Sequence, residues 1–316
     1  MKHLQKYLIL AALLIAAPAN ATSFSQIVVF GDSLSDVGNL SLTLGGTVPG
    51  APYDNGYFSN GPTWVQTLGT MLGLGPTSPS VTPGGTNYAY GSARTGVGVL
   101  GFIPSLITQS NLYLNDVSGV ADSNGLYIIW GGGNDVRTND ADTANTATDI
   151  ASIVSNLIAA GATNFLIPNL PNIGLTPESL GPGDGAPGGD AATMTALTLA
   201  HNNALADQVA ALAAANPTLN IQLFDVFSIF NGMIDNPESF GFSNVDTRCY
   251  DEDAGTVCGN PEEFVFWDGI HPTAAAHAFL GDLAFEQLSS TVVPIPAAVW
   301  LFGSALFGLV GVRRRA

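Results

Sequence analysis

Five short segments of the chain have the length and composition of buried β-strands. Each is rich in apolar, β-branched or aromatic residues, and each is followed by Gly, Asn or Asp. Continuous apolar runs of this length are typical of strands that are covered on both faces of a sheet. The predicted strands lie at 27–30, within 86–96, and at 124–130, 164–168 and 220–224.

Segments with helical spacing or composition alternate with these strands. They lie at 63–72, 141–160, 191–215, 226–234 and 273–288. This alternation predicts a single α/β domain with a central parallel sheet and helices on both of its faces. The segment 169–190, rich in Pro, Gly and Asp, is long for a connection, and we expect it to form a pocket rim or a lid.

Polar side chains follow two of the predicted strands at the point where each strand ends. Ser33 comes three residues after the end of the first run, and Asn134 follows the three glycines that come after the third. The carboxyl ends of parallel strands converge on one edge of a sheet, where α/β proteins bind their ligands. The alternative is an ordinary polar turn, in which Asp32 or Ser33 caps the next helix and Asn134 belongs to a Gly-rich turn.

The C-terminal half supplies a histidine with a carboxylate close by. Asp268 precedes His271 by three residues, and Pro272 prevents this histidine from continuing a helix. A serine hydroxyl needs a neighbouring base to become a nucleophile, and the imidazole needs a third group to fix its tautomer. The other histidines of the domain, His201 and His277, lie in predicted helices among alanines, where packed or surface positions are expected.

Together with the segment 86–96, these motifs resemble those of the GDSL, or SGNH, family of serine esterases and lipases. The resemblance runs from about residue 26 to about residue 287. It implies a flavodoxin-like three-layer α/β/α fold and a catalytic triad in which Ser33 is the nucleophile, His271 the base and Asp268 the orienting group.

The same resemblance implies an oxyanion hole. Its donors would be the backbone N–H of Ser33, a backbone N–H at Gly91 and the side-chain amide of Asn134. The family often has two small residues, frequently Gly-Gly, where this chain has Gly91 and Ser92. Either of these two N–H groups could therefore be the donor.

Both ends of the chain have the composition of processing or targeting signals. Two lysines, an apolar run at 7–17 and small residues at 19–21 predict a signal peptide at 1–21, removed by signal peptidase. This leaves a hydrolase domain at 22–291. The uncharged run at 292–312, followed by three arginines, would span about 30 Å as a helix, and it predicts a membrane segment at 292–316.

The prolines at the start of this tail and its basic end resemble the PEP-CTERM sorting signals of Gram-negative envelope proteins, in the variant with two prolines. The resemblance implies cleavage by an exosortase-type protease and delivery to the cell surface or extracellular matrix. A permanent membrane anchor is the alternative.

Charge and cysteine content narrow the possible partners and cofactors. The domain between the two ends keeps only Arg94, Arg137 and Arg248 against 25 acidic residues, which disfavours nucleic acid as a partner. Cys249 and Cys258 predict a disulfide in an exported protein. Two cysteines cannot build a zinc site by themselves, and we expect neither a metal nor a cofactor.

These observations predict an exported serine esterase or lipase that cleaves carboxylic esters, either acyl lipids or short acyl esters. A carbohydrate deacetylase acting on exopolysaccharide is one alternative, given the sorting tail. A matrix-associated binding protein that keeps the fold without catalysis is another.

Overall fold

The computed structural model describes residues 24–96, 99–138, 143–181 and 190–290. The predicted signal peptide at 1–21 and the predicted membrane or sorting segment at 292–316 lie outside these ranges. Within them, no helix combines the length and the apolar character needed to cross a bilayer.

The described residues form ten strands and nine α-helices. The strands are β1 Ile27–Gly31, β2 Val99–Leu100, β3 Ile103–Pro104, β4 Leu126–Trp130, β5 Asn164–Pro168, β6 Asn220–Phe224, β7 Asn244–Arg248, β8 Tyr250–Asp251, β9 Thr256–Val257 and β10 Phe264–Phe266. The helices are α1 Asn39–Thr43, α2 Trp64–Met71, α3 Leu106–Asp116, α4 Gly133–Arg137, α5 Thr143–Ala159, α6 Pro177–Leu180, α7 Ala191–Ala215, α8 Val226–Asp235 and α9 Ala274–Ser290.

The central sheet has the order β1-β4-β5-β6, and every pair in it is parallel. Strands β1, β4 and β5 are buried along their whole length. This explains why their sequences are continuous apolar runs instead of alternating patterns.

The segment 86–90 lies along the outer edge of β1, although it forms no regular strand. Its backbone bonds to β1 through Val29 N to Thr86 O (3.1 Å), Tyr88 N to Val29 O (2.7 Å) and Tyr90 N to Gly31 O (3.1 Å). Counted with the sheet, this segment gives the order second, first, third, fourth, fifth along the chain, which is the flavodoxin-like order. The predicted α/β/α fold is confirmed.

Alternate residues of the strands pack against different helices. Phe30 and Tyr127 point to a cluster that contains Tyr113 of α3 and apolar residues of α5 and α7. Trp130 points the other way, where its ring meets Trp64 of α2 at a centroid distance of 5.4 Å. Helices therefore cover both faces, and the carboxyl edge of the sheet is left to the loops.

A small second sheet supports the segment that carries Asp268 and His271. Strand β10 pairs with β7, and the Cys249–Cys258 disulfide closes the loop that contains β8 and β9. Tyr250 in this loop donates its N–H to the carbonyl of Trp267 (2.6 Å), the residue before Asp268. The disulfide loop is thus bonded directly to the backbone next to Asp268.

The segment 169–190, predicted as one long loop, has helical turns in its described part. A 3-10 helix spans Ile173–Leu175, and α6 follows with Pro177 at its first position. Thr176 caps α6 by accepting a hydrogen bond from Ser179 N (3.3 Å). A Thr-Pro pair of this kind is a helix-start signal, so this part of the loop prediction was wrong. Residues 182–189 lie outside the described ranges.

Candidate active site

Ser33 lies in a tight turn at the carboxyl end of β1. The turn is closed by hydrogen bonds from Ser35 N and Asp36 N to the carbonyl of Asp32 (3.1 and 2.9 Å). A side chain at Gly31 would place its Cβ 2.8 Å from the carbonyl oxygen of Trp130, so only glycine fits where the strand ends. The serine is therefore held by the sheet itself.

The structure brings Ser33, His271 and Asp268 into one hydrogen-bonded line. Ser33 Oγ lies 2.8 Å from His271 Nε2, and His271 Nδ1 lies 2.6 Å from Asp268 Oδ2. Their exposed fractions are 9%, 8% and 2%, so the line is shielded from bulk water while the serine borders a pocket. A proton can pass from the hydroxyl to the imidazole along this line.

Asp268 is saturated with hydrogen-bond donors. Its Oδ1 accepts the N–H groups of Ile270 (2.8 Å) and His271 (2.7 Å), and its Oδ2 accepts the Tyr53 hydroxyl (2.7 Å) beside His271 Nδ1. Burial by itself would raise the pKa of this carboxyl, but the charge of His271 and the hydrogen bonds from His271 and Tyr53 bring the pKa below its ordinary value. Asp268 is thus kept ionised next to the imidazole.

Asn134 is presented at the same edge of the sheet by α4. Gly132, which precedes this helix, has φ +102°, and a Cβ there would lie 2.7 Å from the ring of His201. One hydrogen of the Asn134 amide bonds to the carbonyl of Ala93 (2.9 Å), and Asn134 lines the same pocket as Ser33. Among the described residues no partner bonds to the second amide hydrogen, which could therefore bond to a ligand in that pocket.

The two candidate backbone donors of the segment 86–96 differ in their environment. The Gly91 N–H donates to Asp36 Oδ2 (2.8 Å) and is occupied. The Ser92 N–H has no hydrogen-bond partner in the part of the chain that the structure describes. Ser92 also has φ +64°, in the left-handed region that residues with a side chain seldom adopt and that recurs at functional sites.

The Asp36 carboxylate joins the serine turn to the segment that contains Gly91 and Ser92. Besides Gly91, its carboxylate accepts the backbone N–H groups of Gly38 (2.9 Å), Asn39 (2.7 Å) and Leu40 (3.2 Å). Burial raises the pKa of Asp36 to about 6, although these four donors act to lower it. The side chain ties the serine turn to the segment 86–96 and so fixes the distance between Ser33 and Ser92.

An apolar pocket opens beside Ser33, His271 and Asn134. Asp32, which is buried and whose pKa burial raises to about 6, also borders it. Its apolar wall comes from the segment after β5, from α8 and from the residues around His271. The wall consists of Leu34, Trp130, Leu170, Pro171, Ile173, Val226, Phe230, Ile270, Pro272 and Leu280.

A second, more polar depression shares His271, Ile270 and Arg137 with this pocket. Arg137 forms a two-pronged ion pair with Glu178, with Nε and Nη2 at 2.7 and 2.6 Å from the carboxylate oxygens. Tyr53 and Glu252 also line the depression. The reactive groups therefore have an apolar surface and a charged surface beside them.

The two remaining histidines of the described domain lie apart from this line. His201 is buried in α7, where its Nδ1 pairs with the Thr146 hydroxyl at 2.8 Å, and burial lowers its pKa to about 4. His277 is buried in α9, where burial lowers its pKa to about 3. Neither side chain bonds to Ser33.

Sequence reasoning missed Tyr53 and the role of Asp36. Tyr53 lies in a stretch rich in Gly, Asn and Ser with no periodic pattern, so no sequence signal connected it with Asp268. Asp36 lies three residues after Ser33. This closeness indicated a place in the serine turn but gave no signal for the bond to Gly91.

The sequence of the chain matches a known protein family. The model of the family described as GDSL-like Lipase/Acylhydrolase matches residues 27–284, which is most of the chain. The chain belongs to this family. As a GDSL-like lipase/acylhydrolase, the protein is an ester-hydrolysing enzyme.

Two known proteins and one solved structure are similar to most of this chain. The phosphatidylcholine-sterol acyltransferase of Aeromonas hydrophila is 28% identical over 333 residues, covering 89% of this chain and 95% of that protein. Esterase EstA of Pseudomonas aeruginosa is 30% identical over 338 residues, covering 92% of this chain but only 51% of the esterase. The crystal structure of a GDSL-family lipolytic protein from Veillonella parvula covers 83% of this chain and 96% of its own, with 15% identity and a TM-score of 0.47.

Proposed function

We propose that this protein is a serine esterase that cleaves acyl esters through an acyl-enzyme intermediate. The observation that carries the proposal is the continuous line from Ser33 Oγ through His271 to Asp268 at the mouth of an apolar pocket. Ser33 Oγ attacks the ester carbonyl, and its proton moves to His271 Nε2. Asp268 holds the imidazole in the correct tautomer and stabilises its positive charge.

The tetrahedral intermediate carries a negative oxygen that needs donors. We assign these donors to the N–H groups of Ser33 and Ser92 and to the side-chain amide of Asn134. The assignment of Ser92 instead of Gly91 is supported by the hydrogen bond that occupies the Gly91 N–H. Donors of this kind, held in place before the reaction, lower the barrier because they require no reorganisation.

The reaction completes in two steps. When the intermediate collapses, the bond to the alcohol oxygen breaks, and the alcohol leaves with the proton from His271. A water molecule then gives its proton to His271 and attacks the acyl-Ser33 ester. The attack forms a second tetrahedral intermediate. When this intermediate collapses, the proton passes from His271 to Ser33 Oγ and the carboxylic acid is released.

The two surfaces beside Ser33 suggest which part of the ester lies where. Apolar side chains such as Trp130, Ile173 and Phe230 suit a hydrocarbon chain, since each methylene withdrawn from water contributes about 0.8 kcal/mol. The depression with the Arg137–Glu178 pair suits a polar alcohol. We therefore propose esters of fatty acyl chains with polar alcohols, ahead of acetylated carbohydrate.

An acyl-chain series tests this function. Purified protein is assayed with the p-nitrophenyl esters of acetate, butyrate, octanoate and palmitate, with Ser33→Ala as the control. We expect hydrolysis that is faster for octanoate than for acetate, and no turnover or fluorophosphonate labelling by Ser33→Ala. Absence of hydrolysis along the whole series would favour a binding protein. A maximum at acetate would favour a deacetylase.

We also propose that the protein is exported and then sorted through its C-terminal segment. The Cys249–Cys258 disulfide fits folding in an oxidising compartment, and the acidic domain fits solubility outside the cell. Expression of the full chain in a Gram-negative host, followed by mass spectrometry of the mature protein, tests both ends. Retention of residues 1–21 would refute the export signal, and an intact tail in a host with an exosortase would refute the sorting signal.

A further inference from the structure

We propose that Tyr53 is a positioning residue for the ester hydrolysis, acting through Asp268. The inference rests on the proposed function, since it gives Tyr53 a part in the triad suggested above. Tyr53 OH donates to Asp268 Oδ2 at 2.7 Å, the same oxygen that meets His271 Nδ1 at 2.6 Å. The imidazole and the phenol thus share one acceptor atom.

Little of the Asp268 carboxylate is accessible to solvent that could replace this donor. The residue is 2% exposed, and its other oxygen is already bonded to two backbone N–H groups. Without the phenol, Oδ2 would have a single partner and one unfilled acceptor position in a buried site. Tyr53 therefore restricts the rotation of the carboxylate and so the plane in which it holds His271.

The phenol is held in place by surrounding rings. Tyr53 packs edge-on against Trp267, the neighbour of Asp268, and against Tyr250 in the disulfide loop, with centroid distances of 6.3 and 5.7 Å. A third edge contact, to Phe58, has a centroid distance of 6.4 Å, and Phe58 in turn lies 5.1 Å from the ring of His271. A ring held on three sides loses little further freedom when its hydroxyl bonds.

The backbone around Tyr53 is also fixed to the histidine segment. Ser59 Oγ donates to the carbonyl of Pro272 (2.9 Å), and Asn60 Oδ1 accepts the N–H of Ala274 (2.8 Å). Tyr53 and His271 therefore belong to two segments that are bonded together before the imidazole, at Asp268, and after it, at Pro272 and Ala274. This arrangement transmits the position of the phenol to the base.

One neighbouring carboxylate competes for the same hydroxyl. Glu252 Oε1 lies 3.2 Å from Tyr53 OH, and the single phenol hydrogen can serve one acceptor at a time. The shorter distance to Asp268 and its far deeper burial favour Asp268, since an exposed glutamate can be hydrated instead. The hydroxyl is thus directed into the site and not toward solvent.

The variant Tyr53→Phe removes only the hydroxyl, and Tyr88→Phe is its matched control. Tyr88 OH also donates to a carboxylate, Asp116 Oδ2, at the same distance of 2.7 Å, but this carboxylate is exposed at the C-terminal end of α3. Each variant loses one phenol–carboxylate hydrogen bond, and Tyr88→Phe should lower the unfolding temperature no more than Tyr53→Phe does, because water can hydrate the exposed Asp116 carboxylate. Only Tyr53→Phe should alter catalysis.

For Tyr53→Phe we expect kcat to fall about tenfold with KM changed less than about twofold, the pattern of a lost transition-state interaction. The acid limb of the kcat/KM profile should also move to higher pH, because the unshared Oδ2 attracts the imidazolium proton more strongly. The other ionisable groups that face the Asp268–His271 pair are unchanged in this variant; they are Asp32, Arg137, Glu252 and His277.

Two results would overturn the inference. One is a kcat within about twofold of the wild-type value. The other is a fall in kcat with an unmoved acid limb, which would indicate a structural role alone. Ser33→Ala separates this question from the proposed function. An active Ser33→Ala variant refutes the triad itself, whereas an inactive one beside an unaffected Tyr53→Phe refutes only the role of Tyr53.

Discussion

The assignment of Asn134 to the oxyanion hole gives a quantitative prediction for Asn134→Ala. In the part of the chain that the structure describes, its amide makes one bond, to Ala93 O, and its side chain lines the pocket beside Ser33. Truncation to alanine removes both donors while leaving Ser33, His271 and Asp268 in place. The change therefore tests one donor of the transition state without disturbing the nucleophile.

The size of the effect follows from these contacts. Loss of one oxyanion donor costs about 3 kcal/mol of transition-state stabilisation, or about a hundredfold in kcat. Loss of the half-buried bond to Ala93 O costs about 1 kcal/mol of folding free energy. We expect a folded enzyme with kcat lowered about a hundredfold and KM nearly unchanged, because the ground-state carbonyl makes weaker use of this donor.

The assay is hydrolysis of p-nitrophenyl butyrate, with urea unfolding to measure stability. A fluorophosphonate titration of Ser33 gives the fraction of competent sites, so that kcat is expressed per active serine. Asn134→Asp is a second variant that keeps the shape but places a carboxylate where the donor was, and its kcat should fall at least as far. Turnover of Asn134→Ala within about threefold of wild type would remove Asn134 from the oxyanion hole.

Two further predictions concern Ser92 and His201. Because Ser92 has φ +64°, Ser92→Gly should leave kcat within about twofold and raise the unfolding free energy by up to about 1 kcal/mol. Ser92→Val should lower both kcat and the unfolding free energy, because a β-branched residue is strained at this φ. A stabilising Ser92→Val would contradict the backbone assignment. Burial holds the pKa of His201 at about 4, below the ordinary 6.5, so the unfolded chain takes up a proton first and stability is lost as the pH falls from 6.5 toward 4. In His201→Gln this contribution disappears, and the stability difference from wild type should narrow by about 2 kcal/mol between about pH 7 and about pH 5 in urea unfolding. A constant difference would show that His201 titrates normally.

The sheet and the reactive residues could be predicted from the sequence because their signals are local. The continuous apolar run before Ser33 requires burial on both faces, and it ends at a glycine that the packing against Trp130 demands. Asp268 and His271 lie three residues apart and are bonded both through side chains and through the His271 N–H. A short stretch of sequence therefore contained both members of that pair.

Other parts of the site depend on contacts between distant segments. Our proposal of Ser92 as the donor instead of Gly91 rests on Asp36, 55 residues before Gly91, which accepts the Gly91 N–H. Tyr53 meets Asp268 across 215 residues and comes from a loop without periodicity. Such pairings are fixed by the packing of the whole domain, and neither partner carries a local mark of the other.

The bond between Ser33 and His271 joins positions 238 residues apart. A ribosome that has made the first strand has produced the proposed nucleophile, but the proposed base comes only near the end of synthesis. The order in which the chain is built therefore delays the proposed activity until synthesis is nearly complete.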